Sequence, residues 1–385
     1  MSYKHLHPAI IVVAYNRTES LRRILYSLTE SDYTGYEDIH LVISIDYSPL
    51  YKEVKEIADN FTWTYGSKKV IQHQENLGLK SHILACGDLT NEYGSVIVLE
   101  DDLFVSPAFY DYTVQALNFY EENSDVAGIS LYSYDFNEYA KAKFIPLMDN
   151  YDNYFLQSAT SWGQAWSQKQ WSDFKTWYNH NKTISQDDPL PDTVIGWKET
   201  SWKKNYIKYV VINNKYFVVP RVSLTTNFSD IGTHAKRQVY NYQVPLLLKR
   251  KKFYFSQILE SISVYDSYYE INPYILKQFN IFLRDFDFEC DFYGTKNLNK
   301  VKSSWLLTVR EVSQKPLASY SLDILPQELN VILRTKGGFF NFSQIENVKK
   351  FPVLKKLSYF TKTTSDAGAR KFGMLSIYDV MKRFI

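Results

Sequence analysis

Three consecutive carboxylates, Glu100-Asp101-Asp102, close the apolar run Val96-Ile97-Val98-Leu99, and apolar residues resume at Leu103-Phe104-Val105 before Ser106-Pro107. Adjacent carboxylates repel one another, so a fold holds them most readily beside a cation. Hard oxygen ligands suit Mg²⁺ or Mn²⁺, which bind through one or two carboxylates together with a substrate's phosphates. The competing reading is an acidic turn in solvent, and an isolated triplet is explained as well by one as by the other. The surrounding chain separates the two.

Residues 9–14 (Ala-Ile-Ile-Val-Val-Ala) form a continuous apolar run with the character of a buried parallel strand. Tyr15-Asn16-Arg17 follows it, and Leu21, Ile24, Leu25 and Leu28 then recur at helical spacing. Leu41 to Ile45 predicts a second strand ending in Asp46, and Val54, Ile57, Ala58 and Phe61 a second amphipathic helix. A third strand near Val70-Ile71 runs into Gln74-Glu75-Asn76-Leu77-Gly78-Leu79-Lys80, with Ile83, Cys86 and Leu89 marking the helix beyond. The acidic strand is fourth, and Pro107 opens a helix carrying Tyr110, Val114 and Leu117. This alternation predicts an α/β fold with a mostly parallel sheet flanked by helices. Ligands of such sheets bind at the carboxyl ends of the strands, where Asn16, Arg17, Asp46, Asn76 to Lys80 and the triplet all fall. Together they predict a polar site with a metal at its centre. Neither Gly-x-Gly-x-x-Gly nor a Walker-type Gly-Lys-Ser/Thr follows the first strand, which argues against a dinucleotide oxidoreductase or a P-loop enzyme.

From 155 to 178 the chain is rich in Trp and small residues, with Trp162, Trp166, Trp171 and Trp177. Such a segment serves equally as a wall for a sugar ring or as a core. Residues 183–193 read as a loop, Trp197 to Trp202 as a helix, and Tyr216 to Pro220 as a strand. Gly232-Thr233-His234 follows a polar loop, and His234 has the chemistry to ligate a metal or a diphosphate.

From Ala14-Tyr15-Asn16-Arg17 to Gly232-Thr233-His234, residues 9–234 resemble a nucleotide-sugar glycosyltransferase of the GT-A (Rossmann-like) fold. The likeness is to the N-acetylglucosaminyltransferase I-like group and related bacterial capsule and lipopolysaccharide transferases. It is carried also by Ser44-Ile45-Asp46, Asn76-Leu77-Gly78, Glu100 to Pro107, Ser161-Trp162-Gly163 and Pro220-Arg221. The resemblance implies that Tyr15, Asn16 and Arg17 lie at the donor, with Arg17 on the nucleotide diphosphate and Asp46 on the uracil or ribose. It implies that Asn76, Gly78 and Lys80 line the donor pocket, and that Asp102 of the DXD motif binds Mn²⁺ or Mg²⁺. Glu100 and Asp101 would hold the sugar and nucleotide. The implied reaction is an inverting hexosyl or N-acetylhexosaminyl transfer from a UDP-sugar to an oligosaccharide or lipid-linked bacterial surface glycan. Inversion needs a base for the acceptor's hydroxyl proton. The relatives place an acid just after a Trp, but here Lys203-Lys204 follow Trp202. Glu199 and Asp230 remain as candidates, Glu199 slightly favoured. The rival reading is a non-catalytic nucleotide-sugar- or glycan-binding protein of the same fold. A sugar-nucleotide pyrophosphorylase would need a Gly-rich loop where Tyr15-Asn16-Arg17 stands.

Residues 241–385 carry 22 basic against 13 acidic side chains, leaving 22 against 29 in residues 1–240, so a net of +9 faces one of −7. The split predicts a glycosyltransferase domain over 1–240 and a basic appendage over 241–385, helical first and then β-rich. Within the appendage, Phe286, Phe288, Cys290 and Phe292 alternate with acids in the pattern of a half-exposed strand, and Trp305 to Val309 and Ser319 to Ile324 add strand-like runs. Phe372, Leu375, Ile377, Met381 and Phe384 lie among basic residues, a pattern that suits docking on the domain or peripheral contact with an anionic membrane. The scattered basic charge comes without a nucleic-acid recognition motif. Two cysteines, no apolar run of membrane-spanning length and no secretory layout in Met1 to Asn16 predict a cytoplasmic protein, with the inner face of the membrane as the place of any contact.

Overall fold

The computed structural model describes residues 6–230 and 240–350. The chain forms two compact units, residues 1–134 with 148–269, and residues 135–147 with 270–385. In chain order the first unit begins with β1 (Ala9–Ala14), α1 (Thr18–Thr29), β2 (Leu41–Ile45), α2 (Tyr51–Asn60), β3 (Lys68–Gln72), α3 (Gly78–Asp88) and α4 (Thr90–Tyr93). It continues through β4 (Ser95–Glu100), β5 (Leu103–Val105), α5 (Phe109–Phe119) and β6 (Val126–Ser130). The hairpin of β7 (Phe136–Asn137) and β8 (Ala142–Lys143) belongs to the second unit. The first unit resumes with β9 (Asn153–Leu156), β10 (Gln164–Ser167), α6 (Gln168–His180), α7 (Asp192–Ile195), α8 (Trp202–Ile212), β11 (Tyr216–Pro220), β12 (Thr225–Asn227) and β13 (Val264–Tyr265).

Nine of these strands make one sheet in the order β13-β9-β11-β6-β10-β4-β1-β2-β3. β1 pairs in parallel with β2 and β4, with Ile10 opposite Leu41 on one side and Ile97 on the other. β10 enters antiparallel between β4 and β6, which makes the sheet mixed. Every residue of β1 and β2 is buried, as expected for central strands covered on both faces. Leu21, Ile24, Leu25 and Leu28 give α1 its buried stripe, as their spacing predicts. Strand order reverses between β4 and β1, the switch point where the strand ends splay and leave a crevice. After Glu100 the backbone turns through Asp101-Asp102 and leaves the large sheet, because β5 pairs instead with β12.

Three local expectations change. Residues 197–201 do not form a helix: α8 starts at Trp202, where Ser201 accepts a hydrogen bond from the Lys204 N–H and caps it. Trp166 and Trp171 are core residues, packed with Phe174 and Tyr206 at ring separations of 4.7 Å (Trp166–Trp171) and 4.0 Å (Phe174–Tyr206). The compact division falls after Tyr269, not at 240, since β13 adds to the edge of the large sheet beside β9 and Phe253 and Phe255 join its core.

The second unit is the separate β-rich region. It contains α9 (Pro273–Phe279), β14 (Phe288–Asp291), β15 (Trp305–Thr308), β16 (Ala318–Tyr320), α10 (Leu329–Ile332) and β17 (Phe340–Gln344), with sheet order β14-β15-β17-β16. β14 is not half-exposed. Asp291 is fully buried, where it accepts hydrogen bonds from Arg310 Nε at 2.7 Å, Thr308 Oγ1 at 2.9 Å and the Lys296 N–H at 2.9 Å. An alternating acid can point inward when a buried Arg satisfies it. Among the described residues no helix is long and apolar enough to cross a membrane. The amphipathic C-terminal stretch and His234 lie outside the described residues.

Candidate active site

The acidic triplet meets Arg17 across the β4/β1 crevice. Arg17, just beyond β1, pairs with Asp101 and donates from Nη1 to Asp102 Oδ2 at 3.1 Å. One carboxylate oxygen of each acid, Glu100 Oε1, Asp101 Oδ2 and Asp102 Oδ1, is buried with no hydrogen-bond partner among the described residues. Burial, reinforced by the Asp102 charge, pushes the Glu100 carboxyl well above the usual range against the opposing charges of Arg17 and Lys203. Burial likewise pushes Asp101 up to about 7, although Arg17 opposes it. The Arg17 guanidinium is buried too, but Asp101 and Asp102 outweigh that and hold its proton more tightly than usual. Asp101 is buried and Glu100 and Asp102 are half-buried, and the three oxygens left without a partner among the described residues have the chemistry to ligate a hard divalent cation. No three His, Cys, Asp or Glu side chains among the described residues converge to hold a metal by themselves.

Next along the sheet edge, Asp46 after β2 accepts hydrogen bonds from the Tyr47 N–H at 2.9 Å, the Leu77 N–H at 2.8 Å and the Gly78 N–H at 3.0 Å. These uses occupy three of a carboxylate's roughly four acceptor positions. They bind the end of β2 to the start of α3, where Gly78 takes a φ of +72°. Asn76 donates to the Tyr47 carbonyl at 2.9 Å and to the Tyr15 hydroxyl at 3.2 Å, tying the loop after β3 to the residues that follow β1 and β2. Asn16 lies half-buried between Tyr15 and Arg17. Beneath them, Ser44 Oγ lies 2.8 Å from His82 Nε2, and burial lowers the His82 pKa to about 4.

The two base candidates are placed differently. Asp230 is tied to α1, paired with Arg23 and accepting from Ser20 Oγ at 2.7 Å. Burial would raise its pKa, but the bonds from Arg23 and Ser20 and the charges of Arg23 and Arg17 outweigh it and hold the carboxyl below its ordinary range. Glu199 has a side chain 72% exposed and pairs with Lys204 Nζ at 2.6 Å, whose hydrogen bond lowers its pKa. Lys80 reaches from α3 to the Glu199 carbonyl at 3.2 Å and to Asn205 Oδ1 at 2.8 Å, so it joins α3 to α8. Trp162 sits half-buried before β10 and packs on Tyr132 at 4.6 Å and Tyr242 at 4.9 Å.

One participant stands out only in three dimensions. Lys203 is 7% exposed, and its ammonium lies 5.6 Å from the Trp162 ring and 5.4 Å from the Trp197 ring. Its charge also acts on Glu100. In sequence Lys203 marks the missing acid after Trp202, but nothing there signals a cation facing the triplet.

Residues 9–173 match the family model "Glycosyl transferase family 2". The mixed sheet flanked by helices agrees with the α/β fold class expected from the sequence. No curated protein matches the chain in sequence. Among solved structures, GalNAc-T7 with UDP, GalNAc and Mn²⁺ is similar at 12% identity and a TM-score of 0.38, covering 57% of this chain and 43% of that one. The mannosyltransferase PcManGT from Pyrobaculum calidifontis, in complex with GDP-Man and Mn²⁺, is 12% identical with a TM-score of 0.33, covering 56% of this chain and 57% of that one. TarS 1-349 of S. aureus is 12% identical with a TM-score of 0.35, covering 56% of this chain and 59% of that one. The chain thus spans between 43% and 59% of the lengths of these three structures.

Proposed function

We propose that the protein is a metal-dependent inverting glycosyltransferase that moves a sugar from a UDP-sugar to a bacterial surface glycan, in the manner of the N-acetylglucosaminyltransferase I-like and capsule or lipopolysaccharide transferases. The observation that carries this reading is the set of three buried carboxylate oxygens at the end of β4, beside Arg17, that have no partner among the described residues. Asp102, with one oxygen free of Arg17, is the residue to hold Mn²⁺ or Mg²⁺, and His234 is a further candidate ligand. The bound cation supplies neutralisation of the charge that develops on the leaving diphosphate. Tyr15, Asn16 and Arg17 face the diphosphate, Asp46 keeps an acceptor position for the nucleotide, and Asn76, Gly78 and Lys80 shape the pocket. Glu100 and Asp101 hold the sugar and nucleotide by hydrogen bonds, and Trp162 offers its ring face to a sugar.

For the base we favour Glu199, whose exposed carboxylate is open to an acceptor hydroxyl, whereas Asp230 is fastened to α1. Domains are assigned accordingly: catalysis in the first unit, an auxiliary role in the basic second one. A cytoplasmic location, with an oligosaccharide or lipid-linked acceptor met at the membrane's inner face, completes the proposal. Slow hydrolysis of nucleotide sugars, measured with Mn²⁺ and with EDTA, tests it. Asp102→Ala should lower turnover by ~10²-fold or more, the scale of losing a principal charge stabiliser. Full activity of Asp102→Ala in EDTA would overturn the metal assignment. A second reading, a non-catalytic nucleotide-sugar- or glycan-binding protein, is favoured by the engagement of both base candidates with cations. Donor binding with neither hydrolysis nor transfer would support it.

A further inference from the structure

The backbone of the acidic turn is held from two sides. The Asp101 N–H donates to the Val13 carbonyl at 3.1 Å, so β1 still fixes the chain there. One residue on, the Asp102 carbonyl accepts from the Phe228 N–H at 3.0 Å, and Leu103 stands opposite Asn227. Asp102 is therefore braced by the chain that follows β12. That chain bends sharply: Asn227 Oδ1 accepts from the Ser229 N–H at 2.7 Å and from Ser229 Oγ at 3.1 Å, and Ser229 takes a φ of +50°. A residue other than glycine stays in the left-handed region only where its surroundings hold it. Here α1 supplies the hold. Arg23 forks onto Asp230, with Nη2 on Oδ2 and Nη1 3.4 Å from Oδ1, and Ser20 Oγ donates to Oδ2 at 2.7 Å. The Arg23 guanidinium also lies 4.0 Å from the centre of the Phe228 ring. Arg17, Ser20 and Arg23 recur at every third position, so one side of the start of α1 meets both the triplet and the bend.

We propose that Arg23 is a positioning residue for Asp102: by gripping Asp230 and covering Phe228 it seats the bend after β12, and so fixes the carboxylate that takes the divalent cation. The inference rests on the metal-dependent reading and adds to it a determinant of cation affinity outside the triplet. Arg23 is no ligand, since a guanidinium has no acceptor to offer a metal. Its charge and its grip pull the affinity in opposite directions. The charge of Asp230 already acts on Asp101, so removing Arg23 leaves the crevice more negative and, by charge alone, tightens Mn²⁺ binding. Losing the grip frees the bend, lets Asp102 shift and weakens that binding. The sign of the change separates the two effects.

Mn²⁺ binding to the full chain with UDP present, read from the paramagnetic resonance signal of free Mn²⁺, tests this. Arg23→Met should weaken Mn²⁺ binding about tenfold, the lower end for losing a group that orients a metal ligand. Arg23→Lys should lose less, because lysine still reaches Asp230 but without the fork. Ser20→Ala removes one hydrogen bond to Asp230 and should move the affinity the same way by a smaller factor. It also decides the question should Arg23→Met fail to fold. UDP affinity measured in EDTA should stay that of the native chain, whereas a general loosening of the crevice would lower it. Unchanged or tighter Mn²⁺ binding in the folded variants overturns the proposal, and so does an equal loss of UDP affinity in EDTA. If the native chain binds no Mn²⁺ with UDP, the metal reading falls and takes this proposal with it; native binding with indifferent variants sinks this proposal alone.

Discussion

Asp102 divides its carboxylate, one oxygen toward Arg17 and the other without a partner among the described residues, whereas Asp230 has both oxygens drawn toward α1. The difference separates a residue available to a ligand from one that fastens a loop. Glu199→Gln should therefore lower turnover at saturating donor by ~10² or more, the range for loss of a general base, with little change in stability. Asp230→Asn should instead lower the thermal midpoint, since Arg23 loses its carboxylate partner, and should reduce turnover less. Single-turnover rates and melting curves on the two variants check this, and the opposite ranking would give the base to Asp230. At this scale the placement of the triplet, Arg17, Asp46 and Asn76 along one edge of the sheet was legible, because strand ends in an alternating α/β chain must share one edge. Lys203 was not, since only the start of α8 at Trp202 turns it toward Trp162 and Trp197.

Elements were easiest to read where they are buried on both faces. β1, β2 and β11 run over the residues their apolar sequences indicate, because a strand covered on both faces has no polar alternation to misread. The second unit was harder. β14 alternates in sequence as a surface strand does, yet its Asp291 is buried on Arg310, a partner nineteen residues away that no local pattern announces. Glu328, at the cap of α10, is a parallel case: it is 1% exposed, its Oε2 has no hydrogen-bond partner among the described residues, and burial raises its pKa to about 8. The folded chain therefore holds a proton there that the unfolded chain, with an ordinary pKa of 4.5, releases above that pH. Stability should fall as pH rises from about 4.5 to about 8, by up to ~1.4 kcal/mol per pH unit within that window. Glu328→Gln removes this proton linkage, so its advantage in denaturant midpoint over the native protein should grow between about pH 5 and about pH 8. Parallel pH profiles for the two proteins would contradict the assignment.

Across the whole molecule, the charge asymmetry at residue 240 located a second region but misplaced its edge by about thirty residues. Residues 241–269 are needed to complete the large sheet and its core. Their basic run 249–252 is partly neutralised at home, Arg250 by Asp32 and Asp111 and Lys251 by Asp152. Net charge thus records composition, while the compact unit follows strand pairing. The central claim concerns the first unit alone: a nucleotide sugar binds at the crevice between β1 and β4 through a cation held by Asp102. Calorimetric titration of UDP into the full chain, with Mn²⁺, with EDTA, and with Mn²⁺ into Asp102→Ala, addresses it most directly. Saturable binding with Mn²⁺, weakened about tenfold or more by EDTA and by Asp102→Ala alike, is the predicted result; no binding of UDP, or binding indifferent to both, would contradict it.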